Sequence, residues 1–329
     1  MEIYEFMQKQ SLPYEAKVAH AVNKAREFYE HLNGDVYVSV GGLDSIVLLY
    51  FVRKYVNPNI QGVSVSCLED ITIQKVHDQI PNFIKLKPIK SKVQVIEEFG
   101  YPVISKDVAR KVHTLQNPTD KNATIRNAIL TGQTGEQGGY KKSPHMKLAN
   151  KWQALFYEKE APFKVSDKCC YYMKERPCND FAKETKLKPY LGLMASEGGK
   201  RQKALMKNGC NYYGKTTVRS CPFAIFNRTD LLQLAIDLKV PIPEIYGEIE
   251  KLEDGSLETT KAKRTGCSMC GFGIHMENRP HRFDRLRETN FREWEFWMYK
   301  MGWGEVLDYI GVEWREDEQI TMNLDELCK

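Results

Sequence analysis

Two groups of residues in this chain have the types and spacing for chemistry. The first is Gly41-Gly42-Leu43-Asp44-Ser45, preceded by Val36-Tyr37-Val38-Ser39-Val40. Val36, Val38 and Val40 repeat at period two, as in a buried strand, while Ile46 to Leu49 continue an apolar run too long for one strand. The glycine pair marks the change of period. Two glycines let the backbone turn sharply and approach a ligand, and Asp44 and Ser45 fit the first turn of a helix, whose open N–H groups and positive dipole end favour an anion. Phosphate or sulfate oxygens suit such a cradle, with Ser39, Gly41, Gly42, Asp44 and Ser45 as candidate binding residues. An ordinary strand-to-helix connection has the same pattern.

The second group is cysteine. Cys169-Cys170 lies about a hundred residues before Cys267-Ser-Met-Cys270, and the latter sits in a glycine-rich loop. Four thiolates in two close pairs can complete a tetrahedral zinc site or hold an iron–sulfur cluster. Side chains at adjacent helical positions diverge by roughly 100°, so a large cluster is easier to share between Cys169 and Cys170 than one small zinc ion. The alternative is that this pair is simply buried apolar thiol. Cys67, Cys178, Cys210 and Cys221 have no metal-ligand spacing, and His275, five residues after Cys270, reads as a substrate-facing or structurally satisfied side chain.

The elements that must position these groups alternate along the chain. A helix is expected over Tyr14 to His31, then the strand, glycine turn and helix described above, a second strand over Ile60 to Ser66, a third over Phe83 to Leu86 and a helix over Val93 to Phe99. Such alternation implies a parallel sheet flanked by helices. Ser66 and Glu69 then fall at the carboxyl end of the second strand, where open α/β sheets hold ligands. Lys106 opens a further helix. Residues 117–148 are polar and read as a mobile loop between a core of 1–116 and its continuation over 149–246 with the first cysteine pair. The CxxC and a helical region follow over 247–329. Tyr190 to Met194 reads as a strand, Ser196 to Arg201 as a glycine-containing turn, Asn227 or Thr229 as a helix cap, and Glu248 to Thr260 as a polar loop.

Composition narrows the classes. The chain has 329 residues, 42% hydrophobic and 28% charged, which is globular and long enough for a sizeable core. The start Met-Glu-Ile-Tyr-Glu-Phe shows neither signal peptide nor membrane span, so a cytoplasmic location is expected. No Gly-x-x-x-x-Gly-Lys-Ser/Thr and no Gly-x-Gly-x-x-Gly after a strand occur, which excludes two common nucleotide fingerprints. A formal charge of +5 is modest, with basic clusters near Lys141, Arg201, Arg264 and Arg279 to Arg287, and an acidic tail after Glu313. Small anions suit those clusters better than an extended nucleic-acid surface, although nucleic acid stays open as a partner.

Gly-Gly-Leu-Asp-Ser resembles the PP-loop of the N-type ATP pyrophosphatases, and with the cysteines the chain resembles the phosphoadenosine phosphosulfate (PAPS) reductase family of that superfamily. The pattern Cys169-Cys170-x-x-x-Lys174-x-x-Pro177 with Cys267-x-x-Cys270 is similar to the cluster-binding pattern of assimilatory adenylylsulfate reductases. Ser66-Cys-Leu-Glu69, Pro102-Val-Ile-Ser-Lys106, Arg264-Thr-Gly-Cys267 and Gly304 to Gly311 resemble further family segments. One departure is Val40, where relatives have Ser. The resemblance implies an adenine nucleotide alpha hydrolase-like (Rossmann-like) α/β fold with a cysteine-rich helical C-terminal part. It implies a 4Fe-4S cluster on Cys169, Cys170, Cys267 and Cys270, or zinc in its place, with Lys174 beside cluster and substrate. Lys106 and Arg201 would neutralise charge. Cys328, in Glu-Leu-Cys-Lys rather than the family's Glu-Cys-Gly-Leu-His, would be the nucleophile that releases sulfite, with a thiol reductant such as thioredoxin.

Three functions follow as expectations. The first is reduction of adenylylsulfate or PAPS to sulfite. The second is ATP- and Mg²⁺-dependent adenylation with pyrophosphate release, allowing sulfur to enter a nucleic acid. The third is a non-catalytic nucleotide-binding subunit with a structural metal.

Overall fold

A computed structural model describes residues 3–65, 69–134, 141–263, 265–267 and 269–315. Ser66, Arg264 and Cys328 lie outside the described residues. The chain forms two compact units, Met1–Ile89 with Met173–Cys267, and Lys90–Tyr172 with Ser268–Lys329.

The first unit is a mixed α/β layer structure, consistent with a Rossmann-like fold. It begins with helices α1 (Ile3–Gln10) and α2 (Tyr14–His31), and continues through β1 (Val36–Ser39), α3 (Leu43–Tyr55), β2 (Gln61–Ser64), α4 (Ile71–Gln79) and β3 (Phe83–Lys85). Three strands from the later segment complete a six-stranded sheet, in the spatial order β3, β2, β1, Lys188–Leu191, Val218–Ser220, Asn211–Tyr213. All neighbours are parallel except the last, which runs antiparallel to Val218–Ser220.

β1 is central, and its sequence shows why. Val36, Val38 and Val40 enter the main core with Ile46, Leu49 and Tyr190, while Tyr37 points the other way and packs with Val63 and Phe181. Both faces are covered, so Val36, Tyr37 and Val38 are all buried, and only Ser39 at the strand's end is polar and partly exposed. The alternation runs on past the strand into Val40, which is 5% exposed. The position that departs from the family pattern is therefore a core position here. Val40→Ser is expected to destabilise the unit by about 2 kcal/mol, through lost apolar burial and a hydroxyl placed among hydrocarbon, and to leave ligand affinity unchanged. Urea melts and a titration on the same variant check both halves.

α3 is buried at Leu43, Ile46–Leu49, Phe51 and Val52, an almost fully apolar helix that suits its place against the sheet. Gly192, just after Lys188–Leu191, allows that strand end to approach it closely: a Cβ there would lie 3.0 Å from the Asp44 carbonyl oxygen. A wider π turn over Tyr171–Glu175 precedes the helix Arg176–Thr185. It coincides with Pro177, which has no N–H for the carbonyl four residues back.

The second unit has its own core, rich in aromatic residues that include Phe156, Phe283, Trp294, Trp303 and Trp314. Its helices include Lys92–Phe99, Lys106–Gln116 and Trp303–Tyr309, and Val103–Ile104 pairs in parallel with Gly271–Phe272. Two segments expected as loops carry structure. Ala123–Thr131 is a helix that buries Ala128 and Ile129, one face too short to register as a period in so polar a stretch. In the first unit, Ile249–Lys251 and Leu257–Thr259 form an antiparallel hairpin that buries Leu257 and Thr259. No helix among the described residues is long and apolar enough to cross a membrane.

Candidate functional site

Within the first unit, the chain leaves β1 for β2 on one side, and Lys188–Leu191 joins β1 on the other. The strand order therefore switches at β1, and the carboxyl edge of such a switch is where open α/β sheets form their ligand crevice. Gly41 to Ser45 lie at that edge.

Side chains from remote parts of the unit fix the loop. The Gly41 N–H donates to Ser45 Oγ at 2.7 Å, and that hydroxyl donates to the Gly42 carbonyl at 2.9 Å. The Gly41 carbonyl is 2.9 Å from His77 Nε2, on α4. The Leu43 N–H donates to the Tyr246 hydroxyl at 3.1 Å, and Thr265 Oγ1 lies 2.8 Å from the same hydroxyl. A trans peptide holds its C=O and N–H antiparallel, so His77, by holding the Gly41 carbonyl, directs the Gly42 N–H away from α4. Gly42 also lies hard against Tyr246: a Cβ would sit 2.5 Å from the phenolic oxygen. Burial pushes the Tyr246 phenol up, with its bonds to Thr265 and Leu43 opposing, so it remains a neutral hydroxyl.

His77 is 1% exposed and stacked on Phe83. Burial holds its imidazole below the ordinary value, against opposing contributions from the Gly41 carbonyl and Glu69. A neutral ring bonded to a carbonyl through Nε2 carries its proton there, which leaves Nδ1 as a buried acceptor with no partner. The folded state thus binds a proton less readily than the unfolded chain, and its stability falls as pH drops below about 6.5 towards the depressed folded value. His77→Gln keeps an N–H for Gly41 and does not titrate. The stability advantage of wild type over this variant is expected to shrink between about pH 7.5 and 5, read by urea melts at each pH.

On one side of the loop is an ion pair. Glu69 Oε1 accepts from Lys174 Nζ at 2.7 Å, and the same carboxylate oxygen is 3.6 Å from where a Gly41 Cβ would stand. Burial opposes the Lys174 ammonium, but the Cys267 sulfur and Glu69 outweigh it and raise its pKa. Lys174 therefore stays charged next to the loop. On the other side, Asp44 Oδ1 accepts from Arg228 Nη1 at 2.6 Å. Both line a cavity of about 510 Å³ whose walls also include Ser196, Glu197, Glu258 and Lys263, a volume in the range of small-ligand sites. Arg201 pairs with Glu197, and Lys263 pairs with Glu258 at 2.8 Å.

The structure thus brings together, in the first unit, Gly41, Gly42, Asp44, Ser45, Glu69, Lys174 and Cys267, with Ser39 closing β1 and Arg201 behind Glu197. Lys106 opens the Ser105-capped helix of the second unit. That unit also holds Cys169, buried in the middle of Lys168–Cys170, with Cys170 half-buried after it, and Cys270, whose carbonyl accepts from Arg282 Nη1 at 3.1 Å. Cys169, Cys170, Cys267 and Cys270 are thiols rather than disulfides, which is the donor chemistry a cluster needs. Among the described residues, however, no three His, Cys, Asp or Glu side chains gather as a metal-holding group. His77 and Tyr246 carry no signal in the sequence, and Thr265 has only its place in Arg264-Thr-Gly-Cys267. Arg228 carries one, since a cation in the first turn of a helix opposes the dipole and needs a partner.

No protein-family model and no curated protein sequence matches the chain. In structure it is similar to phosphoadenylyl-sulfate (PAPS) reductase from Candida auris, solved as a phosphate complex. The TM-score is 0.38 and the identity 12%, over 73% of this chain and 96% of that one. That likeness is distant.

Proposed function

We propose that this chain binds an adenylyl nucleotide by a sulfate or phosphate group at Gly41 to Ser45, with sulfur chemistry beside Lys174 and Cys267. One observation carries the reading: a glycine loop at the switch point of a parallel sheet, pinned by Ser45, His77 and Tyr246, stands beside a 510 Å³ cavity. Those bonds occupy the Gly41 and Leu43 N–H groups and fix the loop, so the Gly42 N–H is the donor that it would present to an oxyanion without reorganising. The charged Lys174, bonded to Glu69 Oε1, offsets the negative charge of the carboxylate that stands beside Gly41.

The most concrete form of the reading is reduction of adenylylsulfate or PAPS to sulfite. A cysteine thiolate attacks the sulfuryl sulfur and the nucleoside phosphate leaves, giving S-sulfocysteine; a thiolate of the reductant then attacks the cysteine sulfur, sulfite leaves as that S–S bond breaks, and the reductant's second thiol resolves the mixed disulfide and ends as the oxidised disulfide. Cys328 is the candidate nucleophile. Cys169, Cys170, Cys267 and Cys270 are the candidate donors to a 4Fe-4S cluster or to zinc, which would supply redox or electrostatic support when bound. Protein purified without oxygen should carry iron and sulfide and release sulfite from adenylylsulfate with thioredoxin or dithiothreitol. Stoichiometric zinc and nucleotide binding without sulfite would instead support the non-catalytic reading. Pyrophosphate release from ATP and Mg²⁺, stimulated by nucleic acid, would support adenylation.

A further inference from the structure

We infer that Arg228 is a specificity-determining residue that makes the cavity beside Asp44 a site for an oxyanion bound without a divalent cation. The inference rests on the nucleotide-binding reading above and names the ionic form of the ligand. Asp44 is the carboxylate nearest the glycine loop in sequence, and it is the group to which a magnesium-bound polyphosphate would offer its metal. Its Oδ1 is already held by Arg228 Nη1 at 2.6 Å, with the two side chains 30% and 31% exposed. The other two carboxylates of the wall are held in the same way, Glu197 by Arg201 and Glu258 by Lys263. Magnesium is bound through carboxylates and phosphate oxygens and demands near-octahedral geometry. To enter here it would have to displace a guanidinium or an ammonium from its partner.

An anionic group meets the opposite situation. Arg228 has a second nitrogen, Nη2, that is buried without an acceptor. A guanidinium offers five donors in a planar fork suited to two oxygens of a sulfate or phosphate. A buried donor with no partner is unusual enough to require a reason, and an oxyanion that meets the guanidinium at Nη2, while Nη1 stays on Asp44, supplies one. The carboxylate holds the fork in place, and the fork supplies the charge that a metal supplies elsewhere. Asp44 is then a positioning residue acting through Arg228, and the ligand is a sulfuryl or phosphoryl ester in its metal-free form.

Calorimetric titration of the full chain with adenosine 5′-phosphosulfate and with ATP, each in EDTA and in excess Mg²⁺, tests this. Wild type should bind the phosphosulfate equally with EDTA and with Mg²⁺. Arg228→Ala should bind it about tenfold or more weakly with EDTA and with Mg²⁺ alike. Arg228→Lys, which keeps the charge but not the fork, should fall between and should melt close to wild type, separating a binding defect from a folding one. Wild-type binding that requires Mg²⁺, or Arg228→Ala binding as tightly as wild type, overturns the inference and leaves the nucleotide reading standing. Binding of neither nucleotide under either condition overturns both.

Discussion

Gly42→Ala is expected to abolish nucleotide binding and to destabilise the protein by about 2 kcal/mol, as overpacking at a closed site does. The added methyl would lie 2.5 Å from the Tyr246 hydroxyl and 3.3 Å from Thr265 Oγ1. Tyr246 is 3% exposed and has no free end to swing away. Relief would require moving its ring, and the Leu43 N–H would lose its acceptor. Gly41→Ala is the matched control: its methyl would meet Glu69 Oε1 at 3.6 Å, an ordinary contact. It should fold like wild type. Gly42→Ala combined with Tyr246→Phe, which removes the clashing oxygen, should recover part of the stability but not the binding. Thermal melts of the four proteins, with one titration each, decide the matter. Equal stability of Gly42→Ala and Gly41→Ala would show that Tyr246 does not close the loop.

Lys174→Met is expected to cost about 1–3 kcal/mol, because it leaves the Glu69 carboxylate without its cation. The Glu69 side chain is 7% exposed and that of Lys174 38%, so water reaches one end of the pair and keeps the loss below that of a fully buried pair. Glu69→Gln in the same background removes the stranded charge, so the double variant should be more stable than Lys174→Met alone. A denaturant double-mutant cycle reads the coupling. The functional prediction is separate. Neither variant should bind the phosphosulfate as tightly as wild type, since both lack the Lys174 ammonium that offsets the Glu69 carboxylate beside Gly41.

The loop was legible because every signal in it is local. Period-two valines, a glycine pair and an apolar run are adjacent in sequence, and the strand, turn and helix follow directly from them. The residues that hold the loop were not legible for the converse reason. Tyr246 bonds Leu43 across 203 positions and Arg228 bonds Asp44 across 184, distances that only the order of the strands closes. His77 is nearer, but it sits in α4 among Ile73 and Val76 and reads as one more residue on a helical face. Val40 is instructive in another way. Against the PP-loop pattern that the segment resembles it is a missing hydroxyl, whereas the alternation it shares with Val36 and Val38 sends it into the core. The hairpin Ile249–Lys251 with Leu257–Thr259 escaped notice because charged residues dilute its period, although Asp254-Gly255 at its turn is a strong hairpin signal. Cysteine spacing, finally, reports donor chemistry and says nothing of where the sulfurs stand.

The most direct measurement is a crystal structure of the protein grown with adenosine 5′-phosphosulfate. The sulfate or phosphate is expected at Gly41 to Ser45, with an oxygen accepting from the Gly42 N–H and another from the Arg228 guanidinium, and the ligand entering the cavity beside Asp44. A nucleotide bound elsewhere in the chain, with the loop still closed on Ser45 and Tyr246 alone, would contradict this expectation.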